Sequence, residues 1–479
     1  MNKRLLTVAL FLCLPGFVLA EHMSASGNSL NTHWVGILSL AAFALAMVTV
    51  FIEEFIDLRK SKPVLLSAGI IWGLIGWYVH QTDSAHFAEQ AVRQSLLQYA
   101  ELMLFFLVVM TYINALSERQ VFLAIRSWVG QQQYTFHKIF WITGLGTFLL
   151  SPFLDNLSTA LVMGAVVLNL ERENRRFIAI ACTNVVIASN AGGAFSPFGD
   201  LTTLMVWQQD IISTNGRVDF FSFFNLFIPS LVNYLVPALF MHFALPTGRL
   251  SAAQERIRMR RGSKRIMLLL LLTIATTVFF QWQLFLPATI GAMTGLSYLQ
   301  FFGFYLKKTH IAGPATITTS ETPGFSIVVE SRQPFDVFLR VARSEWDTLL
   351  FLCGVILSVG GLGYLGYLTL ASELLYVQWG ATTANISIGL ASAVLENIPT
   401  MSVVLTMQPE MSLGQWLLVT LTAGVGGSLL SIGSAAGVAL MGHSNGKYTF
   451  FSHLRWTPAI ALGFAASIVC HLWLNSALF

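Results

Sequence analysis

The chain has 479 residues, 55% of them apolar and only 10% charged, where soluble domains carry about 25% charged residues. That balance argues against a soluble enzyme and describes a chain that crosses a membrane several times, its 37 Phe and 12 Trp suited to lipid and to interfacial aromatic belts. The net charge of +4 is gathered in a few loops, so it reads as membrane topology rather than as a nucleic-acid surface.

Taken in chain order, Lys3-Arg4, the apolar run Leu5 to Leu14 and Val18-Leu19-Ala20 have the pattern of a signal peptide over residues 1–20. Cleavage there would leave the mature N-terminus in the periplasm, and the alternative is an uncleaved first helix. N-terminal transmembrane helices are expected over 21–98. Val35 to Ile56 spans toward Arg59, Lys60 and Lys62, which mark the cytoplasm, and Pro63 to Val79 returns outward. Glu53-Glu54 reads as a solvated helix end. His80 to Ser95 is polar and reads as a periplasmic stretch, after which Leu102 to Leu116 spans inward.

A first repeat is expected over 99–243. Ile139 to Leu154 and Ala160 to Leu170 are apolar arms on either side of Asp155-Asn156, with basic residues beyond both ends. Each arm, at 1.5 Å per residue, is shorter than the roughly 30 Å hydrocarbon core. The pattern predicts a re-entrant hairpin over 139–170 with Asp155 at its buried tip. A broken helix over 177–208 follows, interrupted at Ala191-Gly192-Gly193 through Ser196-Pro197-Phe198-Gly199. Residues 244–345 read as a strongly basic cytoplasmic loop, two connecting helices and a linker. Arg249 to Arg265 holds seven basic residues and one acid.

The second half, 346–477, repeats the first. A hairpin is expected over 384–407, with Glu396-Asn397 at its tip, and a broken helix over 413–442, interrupted between Gly426-Gly427 and Gly433-Ser434. The tips share the pattern acid-Asn-x-x-Thr (Asp155-Asn156-x-x-Thr159 and Glu396-Asn397-x-x-Thr400), and Gly-Gly-x5-Gly recurs at both breaks. The first hairpin is flanked by basic residues and the second by Glu373 and Glu410. One hairpin is therefore expected to enter from each side, making the halves inverted repeats. The fold class is all-α and polytopic, each repeat with a hairpin and a broken helix.

A charge at bilayer depth is costly and marks a functional site by default. Freed backbone carbonyls, half-helix dipoles and side-chain oxygens suit a small cation. Asp155, Asp200 and Glu396 are the expected anionic ligands for such a cation. Asn156, Thr159, Asn190, Thr202, Thr203, Asn397, Thr400, Ser431 and Ser434 are the neutral donors. Asp200 aligns with Ser434, so the repeats are not chemically equal. Burial disfavours the charged form of a carboxylate in general, so such a group can hold either a proton or a metal cation. Glu101 and Asp347, each at the expected start of a helix, either serve the site or complement a helix dipole. The four cysteines (Cys13, Cys182, Cys353, Cys470) are far apart and read as small apolar residues, and the histidines show no pairing for haem or zinc.

Glu53-Glu54 through Pro63, Ser151 to Thr159, Ser189 to Thr203, Glu345-Trp346-Asp347, Glu396 to Thr400 and Ser431 to Ser434 resemble the NhaD-type sodium/proton antiporters of bacterial inner membranes, within the ion transporter superfamily. The resemblance covers most of residues 35–477. It implies exchange of cytoplasmic Na+ or Li+ for external protons, serving pH and sodium homeostasis, with no cofactor. It also implies a multi-pass protein of the inner membrane and a possible homodimer. Glu396 departs from the family's usual Asp. A sodium-coupled di- or tricarboxylate carrier of the same superfamily is the alternative, but acids at both tips would repel its substrate. An intramembrane hydrolase is a further alternative from another class, and neither HExxH nor GxGD is present to support it.

Overall fold

The structure is a computed structural model that describes residues 30–52, 58–80, 85–131, 134–171, 173–249, 257–309, 318–322, 325–329, 337–342 and 344–479. The expected signal peptide and Glu53-Glu54 lie outside the described residues. In chain order the main helices begin with α1 (Trp34–Phe51), α2 (Ser61–Val79), α3 (Ala85–Glu118) and α4 (Val121–Gly130). There follow α5 (Phe136–Leu154), α6 (Asn156–Leu170), α7 (Arg175–Gly193), α8 (Leu201–Gln208), α9 (Phe227–Ala244), α10 (Ser263–Leu284) and α11 (Ala288–Lys308). Beyond them come α12 (Val337–Ala342), α13 (Trp346–Tyr364), α14 (Tyr367–Ser372), α15 (Ala381–Leu395) and α16 (Asn397–Met407). The chain closes with α17 (Leu413–Gly426), α18 (Ala435–His443), α19 (Phe450–Leu454) and α20 (Thr457–Leu474). The protein is an all-α polytopic membrane protein, with seven helices among the described residues long and apolar enough to cross a membrane. The helices of the hairpins and breaks, α5 to α8 and α15 to α18, are not among those seven, being either too short or too polar to span alone.

The described residues form two compact units. One takes those up to Ala100 with Glu345–Gly380 and Ser402–Pro409; the other takes Glu101–Ser344, Ala381–Met401 and Glu410–Phe479. The first is built where α2 packs on α13 and α1. Its core holds Val35, Ile71, Ile75, Val79, Ala88, Leu362 and Leu365. Trp72 Nε1 donates to the Leu357 carbonyl at 2.8 Å. In the second unit α10 packs on α11, α9 on α20, α5 on α7 and α15 on α17. Tyr112 of α3 donates to the Gly295 carbonyl at 2.7 Å, where α10 and α11 meet.

One expectation is corrected and two are refined. Residues 85–95, read as part of a polar periplasmic stretch, are the first turns of the 34-residue α3. Their polarity belongs to one exposed face, where Arg93 pairs with Glu89 at 2.7 Å, while Ala88 is buried on the other. Glu101 consequently sits in the middle of a helix and cannot complement a helix start. The linker contains an antiparallel hairpin, β3 (Thr318–Thr322) against β4 (Phe325–Val329), in keeping with its Thr, Ile and Val content. A smaller one, β1 (Ile212–Ser213) against β2 (Gly216–Arg217), follows α8.

Candidate functional site

Each expected hairpin turns on a single residue. The helices α5 and α6 are separated by Asp155 alone, at φ 63°, and α15 and α16 by Glu396 alone, at φ 68°. Non-glycine residues rarely adopt this conformation, and it persists only where the surroundings enforce it, as at functional sites. Asp155 then caps α6, its Oδ1 accepting from the Ser158 amide at 2.9 Å. Pro152, in the last turn of α5, has no N–H to give the Phe148 carbonyl. The bare Cα of Gly192 lies against that carbonyl instead.

The second half repeats this construction in backbone detail. Gly426 lies against the Gly389 carbonyl as Gly192 does against that of Phe148. A Cβ on Gly193 would stand 2.6 Å from the Gly199 carbonyl oxygen, and one on Gly427 would stand 2.6 Å from that of Gly433. Ser151 Oγ donates to the Ser189 carbonyl at 2.7 Å, and Ser392 Oγ to the Ala423 carbonyl at 2.7 Å. Asp200 and Ser434 each cap the helix that resumes after the break, accepting from Thr202 N and Gly437 N respectively.

Two hydrogen-bonded strings join hairpin tips to breaks. In the first, Asn156 Nδ2 donates to Asn190 Oδ1 at 3.1 Å, and Asn190 Nδ2 donates to Ser428 Oγ at 2.8 Å. In the second, Asn397 Nδ2 and Thr202 Oγ1 both donate to Asp200 Oδ2, at 2.8 and 2.9 Å. Asp155, Asp200 and Glu396 are all buried. Thr159 and Ser431 bury their hydroxyls with no protein hydrogen-bond partner among the described residues. Thr203 and Thr400 are already engaged: Thr203 Oγ1 donates to the Ser196 and Asp200 carbonyls, and Thr400 Oγ1 to that of Glu396.

Among the described residues no three His, Cys, Asp or Glu side chains gather closely enough to hold a metal ion. A cation here would be held by one or two carboxylates together with neutral oxygens, as hard monovalent and divalent ions accept. Asp347 lies in the first turn of α13, in the other unit, where its Oδ1 accepts from Ser61 Oγ at 2.5 Å. It therefore ties two helices of that unit together.

Ser428, a polar residue of the second break that the sequence already set beside Ser431 and Ser434, joins this arrangement, and so does His453, to which the sequence assigned no role. Ser428 lies just beyond Gly426-Gly427, which was the available signal. His453 Nε2 bonds the Ser428 carbonyl at 2.8 Å, and its Nδ1 bonds Tyr448 Oη at 2.7 Å. Nothing near His453 in the chain announces that role.

A family model described as "Citrate transporter" matches residues 16–424. The chain is 52% identical over 481 residues to a Vibrio cholerae protein named Na(+)/H(+) antiporter NhaD, covering 99% of both chains. It is 53% identical over 460 residues to an Alkalimonas amylolytica protein of the same name, covering 95% of this chain and 94% of that one. A more distant relative is Sodium/proton antiporter 1 of Arabidopsis thaliana, 28% identical over 93% of this chain and 74% of that protein.

Proposed function

This chain belongs to the NhaD family of Na(+)/H(+) antiporters, and from that premise we infer that it exchanges sodium for protons across a membrane. We further propose that cytoplasmic Na+ or Li+ leaves against external protons through a bacterial inner membrane, contributing to pH and sodium homeostasis. Asp155, Asp200 and Glu396 supply the exchangeable charge, and Thr159 and Ser431 supply neutral oxygens. The halves would be inverted repeats, and the protein a homodimer.

The observation that carries the site reading is the meeting of Asn397 and Asp200 at 2.8 Å, 197 residues apart in sequence, alongside a separate string that joins Asn156, Asn190 and Ser428. Competition between a proton and a cation for the same carboxylates is sufficient to couple the two flows. The name of the matching family model raises citrate as a substrate. Buried acids at both tips disfavour that reading, since they would repel a polyanion at short range.

The test is fluorescence dequenching of an acid-loaded vesicle containing the protein, on adding Na+, Li+ and K+ in turn across a range of pH. Below its pKa a shared carboxylate is neutral and holds the proton, and above it the anion is free for the cation. Apparent Na+ affinity should therefore rise from acid to alkaline pH. An affinity that stays flat across that range would mean that protons and Na+ do not share a site.

A further inference from the structure

At the start of α10, Arg260, Arg261, Lys264 and Arg265 line a cavity of about 350 Å³ whose apolar wall includes Phe302 and Leu306 of α11. Four cations line it and, among the described residues, no carboxylate does. The positive charge continues inward. The Arg260 amide and Ser263 Oγ both donate to the Arg119 carbonyl, at 3.0 and 3.1 Å. There Glu118 stands beside two guanidinium groups, 3.7 Å from that of Arg119 and 2.8 Å from that of Arg340. Gly262 at the N-cap brings no side-chain oxygen to the first turn of α10, so the positive end of that helix adds to the field.

What lies beyond the cavity on the same two helices distinguishes a lipid from a soluble anion. Met267, Leu268 and Leu271 on α10 and Phe301 and Phe304 on α11 are exposed. The cavity is thus a cationic mouth above an apolar flank, at the boundary where a phospholipid changes from headgroup to acyl chain. A free anion would use the mouth alone and would gain nothing from Phe302, Leu306 or the flank.

We propose that this cavity binds the phosphodiester headgroup of an anionic phospholipid, whose acyl chains lie along the exposed apolar side of α10 and α11. The charge selects the headgroup and the flank selects a lipid. None of these residues belongs to the carboxylate network, so lipid binding and cation exchange can be lost separately.

The experiment is a thermal-melting titration of the full-length protein in detergent with phosphatidylglycerol, phosphatidylcholine or inorganic phosphate. Phosphatidylglycerol should raise the melting midpoint at far lower concentration than phosphatidylcholine, less so as salt increases, and phosphate should not raise it. The triple variant Arg261→Gln/Lys264→Gln/Arg265→Gln should lose on the order of 100-fold in apparent phosphatidylglycerol affinity. It should keep its lipid-free midpoint and its Na+-driven dequenching in phosphatidylcholine vesicles. If the triple variant does not fold, Lys264→Gln alone should cost roughly fivefold. Undiminished phosphatidylglycerol affinity in the variants would place the lipid elsewhere. An equal response to inorganic phosphate would make this a soluble-anion site and overturn the proposal.

Discussion

In the first half, the tip asparagine Asn156 donates to Asn190 of the broken helix that follows it; in the second, Asn397 reaches across to Asp200 of the first half's broken helix. The difference has a simple origin. By the spacing of the glycines, the counterpart of Asn190 is Gly424, which has no side chain to receive Asn397, and the counterpart of Ser434 is Asp200. Gly424 also leaves room: a Cβ there would stand 3.8 Å from Asp200 Oδ2. The backbone contacts that shape the two breaks are repeated almost atom for atom, while the polar groups aimed into them have diverged. Close packing of glycine against carbonyl oxygens tolerates little change, whereas an exchanged side chain at a break alters chemistry without moving the chain.

The largest expected effect comes from removing the charge that makes the halves unequal. Asp200→Asn keeps the shape but deprives Asn397 and Thr202 of a carboxylate. Apparent Na+ affinity should fall on the order of 100-fold, with the protein still folded. Asp155→Asn and Glu396→Gln should be comparably damaging. Wild-type exchange in Asp200→Asn would reduce the asymmetry to a structural detail.

Next come the shared glycines. Gly193→Ala and Gly427→Ala each force a methyl against a backbone carbonyl oxygen at 2.6 Å, and each should cost about 1–3 kcal/mol. Melting midpoints in detergent should drop by similar amounts. A drop confined to one half would contradict the common backbone.

Gly424→Asn restores the missing amide. A Cβ there makes ordinary contact with Ala194, Asp200 and Thr202, and the amide beyond it would offer Asn397 the acceptor that Asn190 offers Asn156. Apparent Na+ affinity should fall by roughly tenfold as Asp200 loses one hydrogen bond to its charge. An unchanged affinity would mean that Asn397 stays on Asp200.

The smallest effect is expected from Ser151→Ala and Ser392→Ala, which delete the matched hydroxyl-to-carbonyl bonds at 2.7 Å. Each should lower stability by about 1 kcal/mol, measured as paired shifts in melting midpoint. The pair should agree with each other, whatever their absolute size.

The sequence by itself determined the membrane-spanning character, the duplicated tips and both breaks. Apolar runs of limited length, acids within them and Gly-Gly-x5-Gly are chemical statements that hold before the chain folds. It also singled out Asp155, Asp200 and Glu396 as candidate ligands, because a carboxylate in such surroundings has few structural uses, and the structure buries all three. It misplaced the start of α3, whose polar first turns it left outside the helix, and with it the position of Glu101. Only the tertiary structure decided that Asn397 meets Asp200, that Asn190 meets Ser428 across 238 residues, that His453 supports the second break, and that Asp347 braces Ser61. Those pairings depend on which helices lie side by side. Local propensity and hydropathy describe each helix against water or lipid and carry no term for its neighbour.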